Sequence, residues 1–384
     1  MTQKRLGFFT RLLDDVPAGQ RYRLAAEQII KAEQLGFDSA WVAQHHFHAD
    51  EGGLPSPLVF LAQVAAQTRR IRLGTGVITL PMEQPLRVAE DTAVLDLLSQ
   101  GRLEVGIGSG GTPSSFTAFG HNSEQRGEIL GRYLAQVRAA WAGEPLSADG
   151  NQLYPAAPHL NRRVWQATFS VEGAIRAGQA GDGLMLSRTQ PRPDGFPDAT
   201  LADLQNPMID AYLDALPPGV APRIMGSRSV FVADDRALAL QLAQTGLQRS
   251  AARLAQLGRP ARNGSVKELI ASFDSHVGTP EDVIASLQAD GSLARTTDLA
   301  FQVHSIDPPH AHILRSLELI AARVAPALGW SPATDKHTSR PGRRSHDTVN
   351  IRHVGYAGGD RPGFTAGASQ SHPRCRHPSR AGQL

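Results

Sequence analysis

The chain has 384 residues, 41% of them hydrophobic and 20% charged, enough to bury a large core in one or two domains. Its net charge of +3 is uneven: residues 331–384 hold nine of the 39 Lys/Arg and three of the 36 Asp/Glu, leaving 30 basic and 33 acidic residues in the first 330. The basic excess therefore belongs to the tail, which argues against a nucleic-acid surface on the body. The single cysteine, Cys375, also lies there, excluding a disulfide framework, a thiolate metal site and a cysteine nucleophile in the body.

No apolar run reaches the roughly 18 residues of a membrane helix. The segment Leu6-Gly7-Phe8-Phe9 is broken by Arg11 and Asp14-Asp15, too short for a secretory leader, so a cytoplasmic protein without membrane contact is expected. Leu6–Thr10 reads as a strand. Tyr22–Leu35 follows with apolar residues at helical spacing (Leu24, Ala25, Ile29, Ala32, Leu35), and Gly36 is suited to stop it. Phe37–Ala43 is a second strand, leading into a His-rich loop. Pro55–Thr68 is a helix, Ile71–Leu80 a third strand ended by Pro81, Pro85–Leu98 a helix and Leu103–Ile107 a fourth strand.

The pattern continues with a helix over Glu124–Trp141, strand Val164–Phe169, helix Val171–Ala180, strand Gly183–Leu186, helix Leu201–Leu216 and strand Ile224–Ala233. Helices over Arg236–Leu257 and Pro280–Ala289, strand Thr297–His304 and a last helix over Pro309–Leu328 complete it. Eight strands alternating with helices imply a parallel sheet with right-handed crossovers. Eight units in about 330 residues favour a closed α/β (β/α)8 TIM-type barrel with insertions over an open sheet. Two segments leave the repeat: Leu146–Pro158, expected as a hairpin or extended excursion, and Gly258–Gly278, expected as a polar linker with no strand and as a lid. Residues 331–384, rich in Arg, His, Pro, Gly and Ser, are expected to be a disordered basic tail beyond a barrel domain of residues 1–330.

Gln44-His45-His46-Phe47-His48 follows the second strand, where barrel enzymes place reactive groups. His45 is the functional choice, as acid, base or hydrogen-bonding partner of a cofactor. The three histidines stand too close in sequence to form a metal site alone, and no metal is expected. Gly106-Ile107-Gly108-Ser109-Gly110-Gly111 matches a dinucleotide fingerprint, but that fingerprint needs a helix opening at its third glycine, and here Thr112-Pro113-Ser114-Ser115 follow, with the next helix expected about a dozen residues on. A glycine-lined floor under a flat ligand is the preferred reading. Ser170 and Gly173 open a helix whose N-terminus can take an anion or whose Ser170 can simply cap it, and Arg126 can add charge or face solvent. Gly74-Thr75-Gly76-Val77 puts two glycines in a strand, and Glu90 and Asp91 are expected as ion-pair residues on the following helix.

In order, these pieces resemble the bacterial luciferase-like flavin monooxygenase family. The run Gly36-Phe37-Asp38-Ser39-Ala40-Trp41-Val42-Ala43-Gln44-His45-His46-Phe47 is similar to that family's GFD…W…EHHF segment. Ile71–Thr75, Leu80-Pro81, Pro85–Asp91 and Leu95–Arg102 are similar to its longest signature, and Gly106–Gly111, Phe119-Gly120 and Gly278–Asp282 continue it. The resemblance covers residues 5 to 328. It implies a barrel that binds reduced FMN (FMNH2) at the C-terminal ends of its strands. By resemblance, His45 lies beside the reactive face of the flavin, Gly76-Val77 is a cis peptide under the ring, Gly108 and Ser109 lie near ring and phosphate, and Arg126, Ser170 and Gly173 form the phosphate pocket.

Gln44, Gly108-Ser109 and Phe169 depart from the luciferases proper, which carry a glutamate, a Cys-Arg pair and another acidic residue at those places. These departures argue against light emission on long aldehydes and leave a flavin-dependent monooxygenase acting with O2 on a small organic substrate. The resemblance further implies a homodimer. A separate NAD(P)H:flavin reductase is expected as partner, consistent with the absence of a Rossmann segment. The alternatives are an F420-dependent oxidoreductase of the same superfamily, a non-catalytic flavin-binding protein, and an unrelated metal-dependent barrel hydrolase.

Overall fold

A computed structural model describes residues 3–256, 263–303 and 308–332. The expected disordered tail, the C-terminal end of the strand expected to reach His304 and part of the expected linker lie outside the described residues.

β1 (Arg5–Thr10) pairs in parallel with β2 (Ser39–Val42), and β2 with β3 (Arg72–Thr75). β3 and its continuation β4 (Ile78–Thr79) both pair with β5 (Leu103–Gly108), so they form one stave interrupted at Gly76-Val77, where the sequence suggested a single strand. The ladder runs on through β6 (Val164–Ala167), β7 (Gly183–Leu186) and β8 (Ile224–Val232). The upper half of β8 carries β9 (Ser275–Gly278), and its lower half pairs with β10 (Asp298–Gln302), which returns to β1. The sheet thus closes into an eight-stave parallel barrel, the (β/α)8 architecture expected from the pattern.

Around it run α1 (Ala18–Gln34), α2 (Pro57–Gln67), α3 (Pro85–Leu98), α4 (Pro113–Ala118), α5 (Arg126–Ala142), α6 (Val171–Gln179), α7 (Leu201–Ala215), α8 (Arg236–Gln256), α9 (Val266–Ser272), α10 (Pro280–Gln288) and α11 (His310–Leu319). The period-2 alternation of the strands sorts residues between two cores. Leu6 and Phe8 on β1 face outward to meet Ala25, Ile29 and Ala32 of α1, each fully buried, while Phe9 joins the barrel interior. Burial of a side chain such as Ile29 stabilises by about 2 kcal/mol.

The interior is layered. Its lower end is an ionic plug in which Arg5 pairs with Asp298, Arg72 pairs with Glu104, and Trp165 Nε1 donates to Glu104 at 2.9 Å. Above it Trp41 and Trp165 pack edge to face at 5.6 Å, with Met185, Met225 and Ala300 filling the layer. Phe9, Val77 and Ala167 lie on top of that layer and are only partly buried, forming an apolar floor at the C-terminal mouth.

Several expectations are corrected. The span Gly258–Gly278 is no strandless linker: α9 and β9 occupy its described part. α9 opens with a reciprocal cap between Ser265 and Glu268, and β9 completes the sheet beside β8, so this part has the bonding of a fixed element. Leu146–Pro158 takes the second of its two expected forms, an irregular excursion without hairpin strands. Leu146 N–H donates to Asn151 O at 2.7 Å and the chain turns through a cis Tyr154-Pro155 bond into a short 3-10 helix. The helix after the glycine run starts at Pro113, two residues past Gly111, and lasts six residues.

Candidate functional site

All eight staves run parallel, so their C-terminal ends surround one mouth. His45 follows β2 there. Its backbone N–H donates to Leu54 O at 3.0 Å, and its Nδ1 is buried without a hydrogen-bond partner. A Cβ on Gly52 would sit 2.4 Å from that nitrogen, so a glycine is required for the loop to cross the imidazole. Nε2 remains as the nitrogen open to a ligand. Burial, then the charges of Arg11, Arg188, His46 and Arg253, lower the His45 pKa to about 3. The ring is therefore neutral at physiological pH.

The other histidines diverge. His46 stacks edge-on against Phe119 at 4.8 Å, and His48 meets Ser114 Oγ at 3.3 Å. Gln44 braces the interrupted stave: its backbone N–H donates to Val77 O at 3.3 Å, and its Oε1 accepts Thr79 N–H at 2.7 Å. Its Nε2 donates to Glu83 Oε1 at 2.6 Å. The carboxylate missing at position 44 thus reappears one side chain away, on a residue the sequence reading passed over. Burial, with Asp91 adding to it, raises the Glu83 pKa, and the Gln44 hydrogen bond partly offsets the rise.

The Gly76-Val77 peptide is cis. The glycines of β5 serve the barrel's own packing: a Cβ on Gly106 would lie 2.0 Å from Thr75 O, and one on Gly108 2.7 Å from the Val77 side chain. Gly108 thereby sits between Val77 and Ala167, which with Phe9 form the apolar floor. Ser109 follows at the rim, partly exposed. Ser170 caps α6, its Oγ accepting Gly173 N–H at 3.1 Å, and a Cβ on Gly173 would strike Thr168. The exposed Glu172 carboxylate hydrogen-bonds its own backbone N–H and Ser170, which lowers its pKa. Arg126 is exposed, donates to Ser123 O at 2.9 Å and makes no hydrogen bond to Ser170 or Gly173. Arg87 pairs with both Glu90 and Asp91, the surface role expected of them.

Opposite Gly76-Val77 the mouth is polar and cationic. Arg188 follows β7 and donates to Ser229 Oγ on β8 at 3.4 Å, and Ser229 is in register with Gln302, which is in register with Phe9. Arg11 follows β1, and Arg253 of α8 pairs with Asp50 and Glu51. These residues escaped the sequence reading, although Arg11 and Arg188 both stand just past predicted strands, the place where a barrel exposes its functional groups.

The C-terminal mouth thus combines an apolar floor with a rim that holds a neutral histidine and arginines. The family model described as luciferase-like monooxygenase matches residues 6–296, and the chain belongs to that family. The 4-hydroxyprotoasukamycin monooxygenase of Streptomyces nodosus subsp. asukaensis is 30% identical over 326 residues, 78% of this chain and 85% of that protein. The solved structure of monooxygenase RslO1 from Streptomyces bottropensis matches with a TM-score of 0.71 at 28% identity, covering 84% of this chain and 99% of that one. An F420-dependent glucose-6-phosphate dehydrogenase of Amycolatopsis mediterranei is 29% identical over 188 residues, 43% of this chain and 56% of the relative. The family thus includes oxygen-using and F420-dependent oxidoreductases, and the chain is an oxidoreductase of this kind.

Proposed function

We propose that the protein is a monooxygenase that uses reduced FMN and O2 to oxygenate a small organic substrate. The observation that carries this reading is the mouth itself: an apolar floor of Phe9, Val77 and Ala167 beside an imidazole held neutral, with one ring nitrogen orphaned and the other free. The floor suits the apolar face of an isoalloxazine ring, and the kinship with a monooxygenase along most of both chains supports oxygen chemistry. When bound, reduced FMN supplies the electrons that activate O2. His45 contributes through Nε2 as a neutral hydrogen-bonding group rather than as a charged acid. Gln44, fixed by Glu83 and Thr79, holds the Val77 end of the floor in place.

Arg126, Ser170 and Gly173 are our assignment for the phosphate end, at the N-terminus of α6, with Gly108 and Ser109 near both ring and phosphate. There the Glu172 side chain must turn aside for a phosphate. Delivery of reduced FMN by a separate NAD(P)H:flavin reductase belongs to the same proposal. So does a homodimer through α2 and α3, which pack together and carry the exposed apolar side chains Val59, Val94, Leu97 and Leu98. Among the described residues no helix is long and apolar enough to cross a membrane.

The test supplies the full-length protein with NADH, FMN, a flavin reductase and 18O-labelled O2, over a panel of small organic compounds. The reading predicts products carrying one labelled oxygen atom. Products that have lost hydrogen and gained no label, formed only with F420, would replace it with the F420-dependent reading that the dehydrogenase relative favours.

A further inference from the structure

Resting on the oxygenase reading above, the cationic half of the mouth narrows the substrate class. Arg188 carries five N–H donors, and its one hydrogen bond within the described residues is the long contact to Ser229 Oγ at 3.4 Å. Its neighbouring carboxylate is committed elsewhere. Asp274, the carboxylate whose charge reaches Arg188, is held by Arg192 through two bonds of 2.6 and 2.7 Å. Burial, then the charge of Arg11, push the Arg188 pKa well below its usual value, and the charge of Asp274 offsets them only in part. A guanidinium taken largely out of water costs free energy unless an anion meets it.

Position completes the argument. Arg188 lies three residues past Met185, which belongs to the interior layer beneath the floor. Its partner Ser229 stands where β8 meets both β9 and β10, in register with Gln302, which is in turn in register with Phe9. Going round the barrel, the staves β3–β4, β5 and β6 bring Val77, Gly108 and Ala167 to the mouth. The arc from β7 through β8, β10 and β1 to β2 brings Arg188, Ser229, Gln302, Arg11 and His45. One half suits a flat apolar ring, and the other a planar oxyanion.

We propose that the Arg188 guanidinium, backed by Arg11 and by Ser229, is the docking point for a carboxylate, sulfonate or phosphate group on the substrate, so that the enzyme acts on anionic molecules. A bidentate oxyanion uses the donors that the protein leaves idle and fixes the substrate's orientation over the floor. The same chemistry could come from the phosphate of the flavin, and the experiment separates the two sources.

Isothermal titration of the full-length protein with benzoate and with uncharged benzamide, flavin-free and with FMN present, is compared for wild type, Arg188→Lys and Arg188→Gln. FMN and riboflavin affinities are measured alongside. The proposal expects at least tenfold preference for benzoate in wild type, part of it kept by Arg188→Lys, none by Arg188→Gln, and FMN affinity within twofold throughout. Equal affinity for the two probes in wild type, or undiminished preference in Arg188→Gln, would overturn it. So would an Arg188→Gln loss of FMN binding that riboflavin does not share, since the guanidinium would then serve the cofactor. Failure of wild type to bind FMN strikes at the oxygenase reading alone, because the benzoate comparison on flavin-free protein still decides the anion site.

Discussion

The neutral state of His45 has a thermodynamic consequence that does not depend on knowing the substrate. An ordinary histidine takes up its proton near pH 6.5, and the unfolded chain does so, whereas the folded protein holds His45 neutral down to about 3. Between those values the unfolded state binds more protons, so acid favours unfolding and stability falls as pH falls. From pH 7 to pH 5 this one ring removes about 2 kcal/mol, at 1.36 kcal/mol per pH unit once below 6.5. His276 behaves alike: burial, then Arg228, lowers it to about 4, and its Nδ1 lies 2.7 Å from Ser286 Oγ. It removes a similar amount, about 2 kcal/mol. The perturbation is His45→Gln, which deletes the titration but keeps a polar group of similar length. Urea unfolding of wild type and variant at pH 7 and pH 5 measures the change. The variant's stability loss between the two pH values is expected to be smaller than wild type's by about 2 kcal/mol, leaving the His276 share intact. An unchanged loss would refute the burial of a neutral imidazole and, with it, the assigned role of His45.

Gly106→Ala is expected to destabilise by about 3 kcal/mol, because its Cβ would lie 2.0 Å from Thr75 O and two backbone segments must part. Gly111→Ala, with no atom within 4 Å of its Cβ, is the neutral control, and thermal melts compare them. Arg228→Met should cost about 3–5 kcal/mol in urea titration. It strands the buried Asp290 carboxylate, 2.6 Å from the guanidinium, and removes the donors to Gln205 and Ser292. Leu97→Glu combined with Leu98→Glu should halve the mass measured by light scattering while leaving the far-ultraviolet dichroism unchanged, if α3 forms the dimer face; an unchanged mass counts against that face.

The barrel was legible because its staves and helices carry opposite periodicities at regular spacing, and both signals are local. Capping was legible at Ser170, which does close the start of α6, whereas the reciprocal cap of Thr279 and Asp282 at α10 went unread. β9 was not legible. Its four residues, Ser275–Gly278, show no apolar alternation, and they become a strand because the edge of β8 offers a ladder, while His276 is satisfied by Ser286 on α10. The glycines of β5 signalled a close approach without saying what approaches: Thr75 O meets Gly106, and the Val77 side chain meets Gly108. His45 was singled out from its position after a strand, and the fold does set it at the C-terminal mouth. Arg11 and Arg188 stood in equivalent positions, yet an isolated arginine past a short apolar run carries no signal until closure of the barrel brings the two charges within reach of each other. Gln44 was noted as a lost charge, and only the fold shows Glu83 restoring a carboxylate beside it.

The most direct measurement is an anaerobic titration of the full-length protein with photoreduced FMN and, separately, with reduced F420, followed by fluorescence. The account predicts saturable binding of FMN at one site per chain, lost when Val77→Asp places a charge on the floor and preserved in His45→Gln. Binding of F420 with none of FMN would contradict it, and the oxidoreductase would then belong with the F420-dependent members of its family.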